Sequence, residues 1–188
     1  IHDLSRGEQE AHLQILPLIE MLRENVPGFE NCWLTSINPT IGVRESRRIM
    51  GIRKVTKENV IAGDIPDDSI AIYSYFIDIH SGDGAKTFTK TVEEPYGVPY
   101  GCTVPKKING LMTTGRCISV DAVAFGTTRI MPLCMAVGEG AGIGAALAAQ
   151  KGIQPRDVNP AEVREQLLKN NAILSVEQAK QFQYTKEV

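Results

Sequence analysis

The sequence has 188 residues, of which 43% are hydrophobic and 22% charged, and its formal net charge is −2. That length suits one compact domain or two small lobes with a buried core. A protein that attracts nucleic acid by general electrostatics carries more positive charge than this. The composition therefore argues against a nucleic-acid partner.

The four cysteines offer neither a metal site nor a redox pair. None of Cys32, Cys102, Cys117 and Cys134 stands in a C-x-x-C spacing, and the three histidines are scattered, so we expect no bound metal. Reduced, partly buried thiols are typical of a reducing compartment, which predicts a cytoplasmic protein. A disulfide between two of them stays open.

Two further features bear on targeting. The sequence begins with Ile1 and carries no signal peptide, which we interpret as a trimmed or excised piece of a longer protein. The stretch 130–149 is almost uncharged and has the length of a membrane span. Its four glycines and Glu139 make it poorly lipophilic, so we expect no span.

The first part of the chain alternates helical and extended patterns. Ser5 with Glu8 predicts a capping box before a helix that Pro17 kinks or delays and that ends at 26–28. Strands are predicted at 32–37, 48–54 and 69–79, and a turn at 38–40. Thr56 is predicted to cap a short helix, 57–62, that Gly63 ends. A turn follows at 81–84.

The second part is richer in helix. Short strands are predicted at 100–105 and 111–114. A long helix is predicted from 129 to 151, with Pro132 in its first turn. Asn159 is predicted to cap a helix over 160–170, and Ser175 another over 176–182.

The glycine-rich run at 140–145 has two interpretations. Gly140, Gly142 and Ala145 fit G-x-G-x-x-A, the phosphate fingerprint of a Rossmann NAD-binding unit, which needs a strand before Gly138. That strand would contain Pro132, which cannot donate to a central ladder. We therefore favour one continuous helix whose small residues let another part of the protein approach closely.

The N-terminus of that helix is the informative end. Free N–H groups and the positive end of the helix dipole favour an anion or an electron-rich oxygen there. The segment 111–119 reads as a short strand that runs into a Gly-Arg turn. Together they predict either a cofactor cradle or an ordinary packed unit, and the residues alone leave both open.

Several stretches resemble a known family. They are Leu111-Met-Thr-Thr-Gly-Arg-Cys-Ile-Ser119, Arg129-Ile-Met-Pro-Leu-Cys-Met-Ala136 with Gly138-Glu-Gly-Ala-Gly142, Gly42-Val-Arg-Glu-Ser-Arg-Arg48, Tyr75-Phe-Ile-Asp-Ile-His80, and Pro99-Tyr100 with Val104-Pro-Lys106. In their order along the chain they resemble the C-terminal signature of a bacterial FAD-dependent oxidoreductase family in the glutathione-reductase-like flavoprotein group. The resemblance covers nearly the whole chain.

The resemblance implies an α/β fold of mixed strands and helices: the C-terminal portion of a two-lobed FAD-binding fold without its N-terminal Rossmann unit. Residues 1–95 would belong to a substrate or cap lobe, 96–152 to the FAD-binding lobe and 153–188 to outer helices. The missing N-terminal segment, which binds the ADP half of FAD, would be a partner of this piece. Surface left bare by it would be apolar, which leaves a homo-oligomer open.

The resemblance also implies the cofactor site. The Gly115-Arg116 turn would follow the ribityl and pyrophosphate region of FAD, and the helix starting near Met131 would point at the pyrimidine side of the flavin ring. Its dipole would stabilise the charge of reduced flavin, and Arg129 would add a positive charge. The implied FAD-binding residues are Gly115, Arg116, Cys117, Ile118, Ser119, Arg129, Met131 and Pro132.

Three residues are candidates for catalysis on a small-molecule substrate. His80 can move a proton during hydride transfer, or it is a hydrogen-bonded structural histidine. Arg44 can hold an anionic substrate or stabilise reduced flavin, while the other cations near it suit a salt-bridge network. Tyr100 can donate a hydrogen bond in the site or anchor a loop. The alternative function is a catalytically inert interaction domain on the same scaffold.

Overall fold

The computed structural model describes residues 2–45, 47–80 and 87–181. The chain divides into two compact units, Ile1–Arg44 and Glu45–Val188. The predicted turn at 81–84, the last predicted helical residue Phe182 and the motif residue Ser46 lie outside the described residues. The lobe boundaries at 95 and 152 stay predictions.

The first unit consists of two helices and an extended tail. Helix α1 spans His2–Leu13 and α2 spans Ile15–Asn25. Ser5 lies inside α1, so the predicted capping box is wrong, whereas Pro17 falls in the first turn of α2, where its missing N–H costs no hydrogen bond. Residues 32–37 pair with no other strand and form no sheet, which corrects the strand predicted there. None of the described residues of this unit is fully buried.

The second unit mixes helices and strands, which confirms the α/β class. Its elements in chain order are α3 Lys57–Ala62, β1 Ser69–Tyr73, β2 Ile77–His80, β3 Thr87–Lys90, β4 Tyr96–Pro99, α4 Ala122–Thr128, α5 Met131–Lys151, α6 Pro160–Lys169 and α7 Val176–Gln181. Short 3-10 turns stand at Tyr100–Cys102, Gly115–Cys117 and Pro155–Asp157. Strands β1 and β4 pair antiparallel, as do β2 and β3.

Local capping explains why several helices fall where the sequence predicts them. Thr56 accepts from the backbone N–H of Asn59, whose side chain reaches back to Thr56, and Gly63 ends α3 with a positive φ of 63°. Asn159 accepts from Ala161 N–H at the start of α6. The Ser175 hydroxyl accepts from Gln178 N–H at 3.2 Å.

Four strand predictions in this unit differ from the structure, because the backbone leaves its partner strand, bonds to more than one segment or bonds locally. Residues 69–79 split into β1 and β2, because the chain leaves the β1–β4 pair at Ser74. Residues 48–54 bond partly to 101–106 and partly to Cys117, so they form one isolated bridge, Gly51 with Pro105, and no ladder. At 100–105 Thr103 N–H turns back to Tyr100 C=O, and 111–114 is irregular.

Helix α5 is the central element of the second unit. A Cβ at Gly140 would lie 2.8 Å from Ile70 on β1, and one at Gly144 would lie 2.5 Å from the Tyr100 ring. These two glycines therefore let β1 and Tyr100 approach the helix, as the repeat of small residues predicts. Residues 140–145 lie in the helix interior, which excludes the Rossmann interpretation.

By length and composition alone α5 could also cross a membrane, with a mean hydropathy of 1.4 over its most apolar window. A third of that window (33%) is buried inside the protein. A core helix of a folded domain has the same properties, and the close contacts at Gly140 and Gly144 are those of a core helix.

Two glycines of α5 give a matched test of this packing. Gly144→Ala places a methyl group against the Tyr100 ring, whose hydroxyl is fixed by the Pro155 carbonyl, and should lower the free energy of unfolding by about 1–3 kcal/mol. Gly142→Ala meets nothing within 4 Å and should raise it by about 0.5–1 kcal/mol through helix propensity. Urea unfolding followed by circular dichroism measures both. Equal effects of the two changes would contradict the contact.

Candidate functional site

The first turn of α5 is the centre of the candidate site. Ile130 stands at its N-cap position with extended backbone and no side-chain cap, and Pro132 occupies the first turn. The N–H groups of Met131 and Leu133 thus lie at the start of a 21-residue helix, where the dipole is positive. The Met131 side chain is 70% exposed. This end can receive an electron-rich group.

The segment before α4 runs back along α5 toward that end. The Met112 sulfur lies 3.8 Å from the Tyr100 hydroxyl oxygen beside Gly144, and Thr114 Oγ1 lies near Gly138. Arg116 then acts on Cys134 in the first turns of α5, where it opposes the rise that burial causes in the pKa of the Cys134 thiol. The Gly115–Cys117 turn and the α5 N-terminus therefore face the same region, as the predicted cradle requires.

The turn itself has room on its outer side. Gly115 adopts a positive φ of 66°, and nothing lies within 4 Å of the position its Cβ would take. The side chains of Arg116 and Cys117 are exposed. Ile118 and Ser119 are buried, and the Ser119 backbone bonds to Val55 and Cys102. Of the five predicted residues here, the first three are accessible to a ligand.

Beside the α5 N-terminus, three side chains form a charged cluster. His80 Nε2 lies 3.1 Å from both carboxylate oxygens of Asp78. Arg129 Nη2 donates to Asp78 Oδ2 at 3.2 Å and to the Asp78 backbone carbonyl at 3.0 Å. The structure thus brings together two residues predicted separately, His80 and Arg129. Because Asp78 balances its charge, Arg129 supplies less than the full positive charge expected of it.

Close packing of α4 against β2 holds this cluster in place. A Cβ at Gly126 would lie 3.0 Å from the Asp78 carbonyl oxygen and 3.1 Å from the side chains of Ile77 and Ile79. Asp121 caps α4 by accepting from the N–H groups of Val123 and Ala124. Since α4 is so close to β2, the residue that follows it, Arg129, reaches Asp78.

Hydrogen bonds behind the cluster join α4 to the segment before β2 and to β4. The Thr127 hydroxyl donates to the Tyr75 carbonyl at 2.8 Å, so its oxygen accepts from the buried Tyr96 hydroxyl at 3.0 Å. Burial raises the pKa of Tyr96 well above its ordinary value, which keeps this phenol a donor. Thr128 Oγ1 is buried beside the α5 N-terminus with no hydrogen-bond partner among the described residues.

Tyr100 does not join the cluster, and Arg44 belongs to the first unit. The Tyr100 hydroxyl donates to the Pro155 carbonyl at 2.9 Å, and burial raises its pKa to about 12. That geometry favours the anchoring role over a catalytic one. Arg44 is exposed at the end of the first unit and its role stays a prediction. Arg48, in the second unit, pairs with Glu45 and lies 4.9 Å over the Phe125 ring, which fits the predicted salt-bridge network.

No role for Asp78 or Gly126, and no helix at α4, was predicted from the sequence. A signal for Asp78 was present: residues two apart in a strand share a face, so Asp78 and His80 had to be neighbours. Asp121 before an apolar run is also an N-cap pattern that indicates α4. The approach of α4 to β2 has no sequence signal of this kind.

The described residues contain no group of three or more His, Cys, Asp or Glu side chains that could hold a metal ion. The four cysteines are free. Cys102 is buried, and burial raises its pKa to about 12, so this thiol is inert.

Comparison with known proteins gives one finding. The model of the family described as FAD dependent oxidoreductase matches residues 1–167, a range that includes the charged cluster, the Gly115–Cys117 turn and α5. Neither the curated proteins nor the solved structures give a match.

The thiol of Cys134 reports on the turn. Arg116 stabilises its thiolate, so Arg116→Gln should raise the pKa of Cys134 further and leave less thiolate at a given pH. In a background with Cys32 and Cys117 changed to serine, we expect Cys134 to be alkylated more slowly in the Arg116→Gln variant. Arg156→Gln, which removes an arginine that bonds to the Pro105 and Ile108 carbonyls, is the control. An unchanged alkylation rate in Arg116→Gln would contradict the proximity.

Proposed function

Because the chain belongs to the FAD-dependent oxidoreductase family, we propose that it binds the flavin ring and ribityl chain of FAD between the Gly115–Cys117 turn and the first turn of α5. In this role it takes part in hydride transfer between a small organic substrate and the flavin. The observation that carries the proposal is that the open Gly115 turn and the uncapped N-terminus of α5 face the same region of the protein.

The side chains and backbone of this region fit such a cofactor end. Met131 and Leu133 offer N–H groups where negative charge is favoured, and the buried Thr128 hydroxyl near them has no hydrogen-bond partner among the described residues. The open side of Gly115 gives backbone access to a ligand. When bound, FAD supplies the hydride acceptor. Residues Gly115, Arg116, Cys117, Met131 and Pro132 would contact it.

His80 is the proposed proton-transfer residue. It is half exposed, so a substrate in the same region can reach it. Imidazole can accept or donate a proton near neutral pH, which suits a group that serves oxidation and reduction. The dipole of α5, rather than the balanced charge of Arg129, would stabilise negative charge on the cofactor.

The ADP half of FAD is proposed to bind to a segment other than these 188 residues, in the arrangement of glutathione-reductase-like flavoproteins. The glycine run at 140–145 is helix interior, so it cannot cradle a pyrophosphate as a strand–turn–helix loop does. A bacterial source, a cytoplasmic location and self-association remain proposals from the sequence.

A flavin titration tests both parts of the proposal. If this chain holds only the flavin end, riboflavin, FMN and FAD should bind with dissociation constants within about threefold of one another, since the ADP half adds no contact. Fluorescence quenching of the flavin measures the affinities. FAD binding about a hundredfold tighter than riboflavin would show that the chain holds the ADP half itself and would overturn that part.

Two glycine variants locate the flavin. Gly115→Ala strains a turn with φ 66° at the proposed site, and Gly110→Ala strains one with φ 67° elsewhere. We expect Gly115→Ala to weaken riboflavin binding about tenfold and Gly110→Ala to leave it unchanged. Alkylation of Cys117 in the presence of riboflavin gives a second readout, because a bound ring should protect that thiol. Absence of both quenching and protection would favour the inert interaction domain.

A further inference from the structure

The cluster of His80, Asp78 and Arg129 determines which nitrogen of the His80 ring carries the hydrogen. We propose that Asp78 is a positioning residue: anchored by Arg129, it holds the His80 ring with Nε2–H as donor and so leaves Nδ1 as the atom that takes the proton. Nothing in the family match assigns Asp78 a role. The catalytic meaning of this inference rests on the proposed function of His80, but the geometry does not.

The hydrogen-bonding chemistry fixes which ring nitrogen is protonated. An ionised carboxylate only accepts hydrogen bonds. His80 Nε2, at 3.1 Å from the Asp78 oxygens, must therefore carry a hydrogen. A neutral imidazole has one N–H, so its other nitrogen, Nδ1, has the free lone pair.

Arg129 holds the Asp78 carboxylate in one position. The Arg129 side chain is 12% exposed, and it donates hydrogen bonds to both the backbone carbonyl and the carboxylate of Asp78. In both contacts the guanidinium is the donor, so the Asp78 oxygens that it meets are acceptors. The carboxylate thus has one oxygen engaged by Arg129 and still presents both oxygens to His80.

The strand adds the remaining constraint. Asp78 and His80 are two residues apart in β2, which pairs with β3 through Asp78↔Thr89 and His80↔Thr87. Alternation along a strand puts their side chains on one face. The packing of Gly126 against the Asp78 carbonyl keeps that face next to Arg129.

In the proposed reaction His80 accepts the proton that the substrate loses. Bound FAD would supply the hydride acceptor for a substrate carbon that bears an O–H or N–H group, and the proton of that group would pass to His80 Nδ1 as the C=O or C=N bond forms. The imidazolium then holds a proton on each nitrogen, with Nε2–H still donated to Asp78. The Nδ1 proton later leaves to water.

The test is to measure which His80 nitrogen carries the hydrogen. In protein labelled with ¹⁵N-histidine, two-bond nitrogen–proton spectra at a pH where imidazole is neutral report the two tautomers. His2 and His12, both exposed in α1, are internal references. We expect the ratio of Nε2–H to Nδ1–H at His80 to exceed theirs by about fivefold, as a charge-assisted hydrogen bond at a half-exposed site should produce.

Two variants, each of which replaces one aspartate with asparagine, serve as the test and its matched control. Asp78→Asn offers an amide N–H that can donate to Nε2, so the Nδ1–H share at His80 should rise. Asp68→Asn removes a carboxylate of similar exposure that pairs with Arg53 at 3.5 Å, and it should leave the His80 ratio unchanged. A His80→Gln spectrum assigns the signals.

A His80 ratio equal to those of His2 and His12 would overturn the inference, as would the same ratio in the wild type and a folded Asp78→Asn protein. If Asp78→Asn does not fold, the wild-type comparison decides alone. The measurement uses flavin-free protein, so it can succeed where the flavin titration fails. A biased tautomer without flavin binding would sink the proposed function and leave the positioning role of Asp78 standing.

Discussion

The close approach of α4 to β2 at Gly126 is the constraint on which the rest of the site depends. A side chain at that position would meet the Asp78 carbonyl at 3.0 Å. Without one, the end of α4 lies against the strand, Thr127 bonds to Tyr75, and Arg129 reaches Asp78 before α5 begins. Because Gly126 and Arg129 are three residues apart, the close approach of α4 to β2 also places Arg129 beside Asp78, next to the N-terminus of α5.

The electrostatics of the site follow from how its charges are paired. The Arg129–Asp78 pair is neutral as a unit, so a ligand near α5 would meet the helix dipole and the partial charges of Met131 and Leu133 N–H groups first. His80 alone changes the net charge of the cluster when it gains a proton.

Much of the helical structure was predictable because its signals are local. Thr56, Gly63, Asn159 and Ser175 bond to groups within a few residues, and Pro132 marks the start of α5. Strands fared worse, since pairing depends on distant partners: 69–79 divides in two, and 48–54 bonds to two segments. For the site, the motifs predicted His80 and Arg129 separately, but only the fold brings them to Asp78. Tyr100 illustrates the converse: its surroundings are those of an anchor.

The length of α5 has a consequence for distant substitutions. At about 1.5 Å per residue its 21 residues form a rod of roughly 30 Å. Its first turn lies at the candidate site, its middle is wedged against Tyr100 at Gly144, and its last residue, Lys151, pairs with Glu162 of α6. A displacement of the middle of this helix also moves its two ends. Crowding its middle would therefore displace the first turn relative to His80, and the proposed flavin site would be altered by a change that touches no ligand.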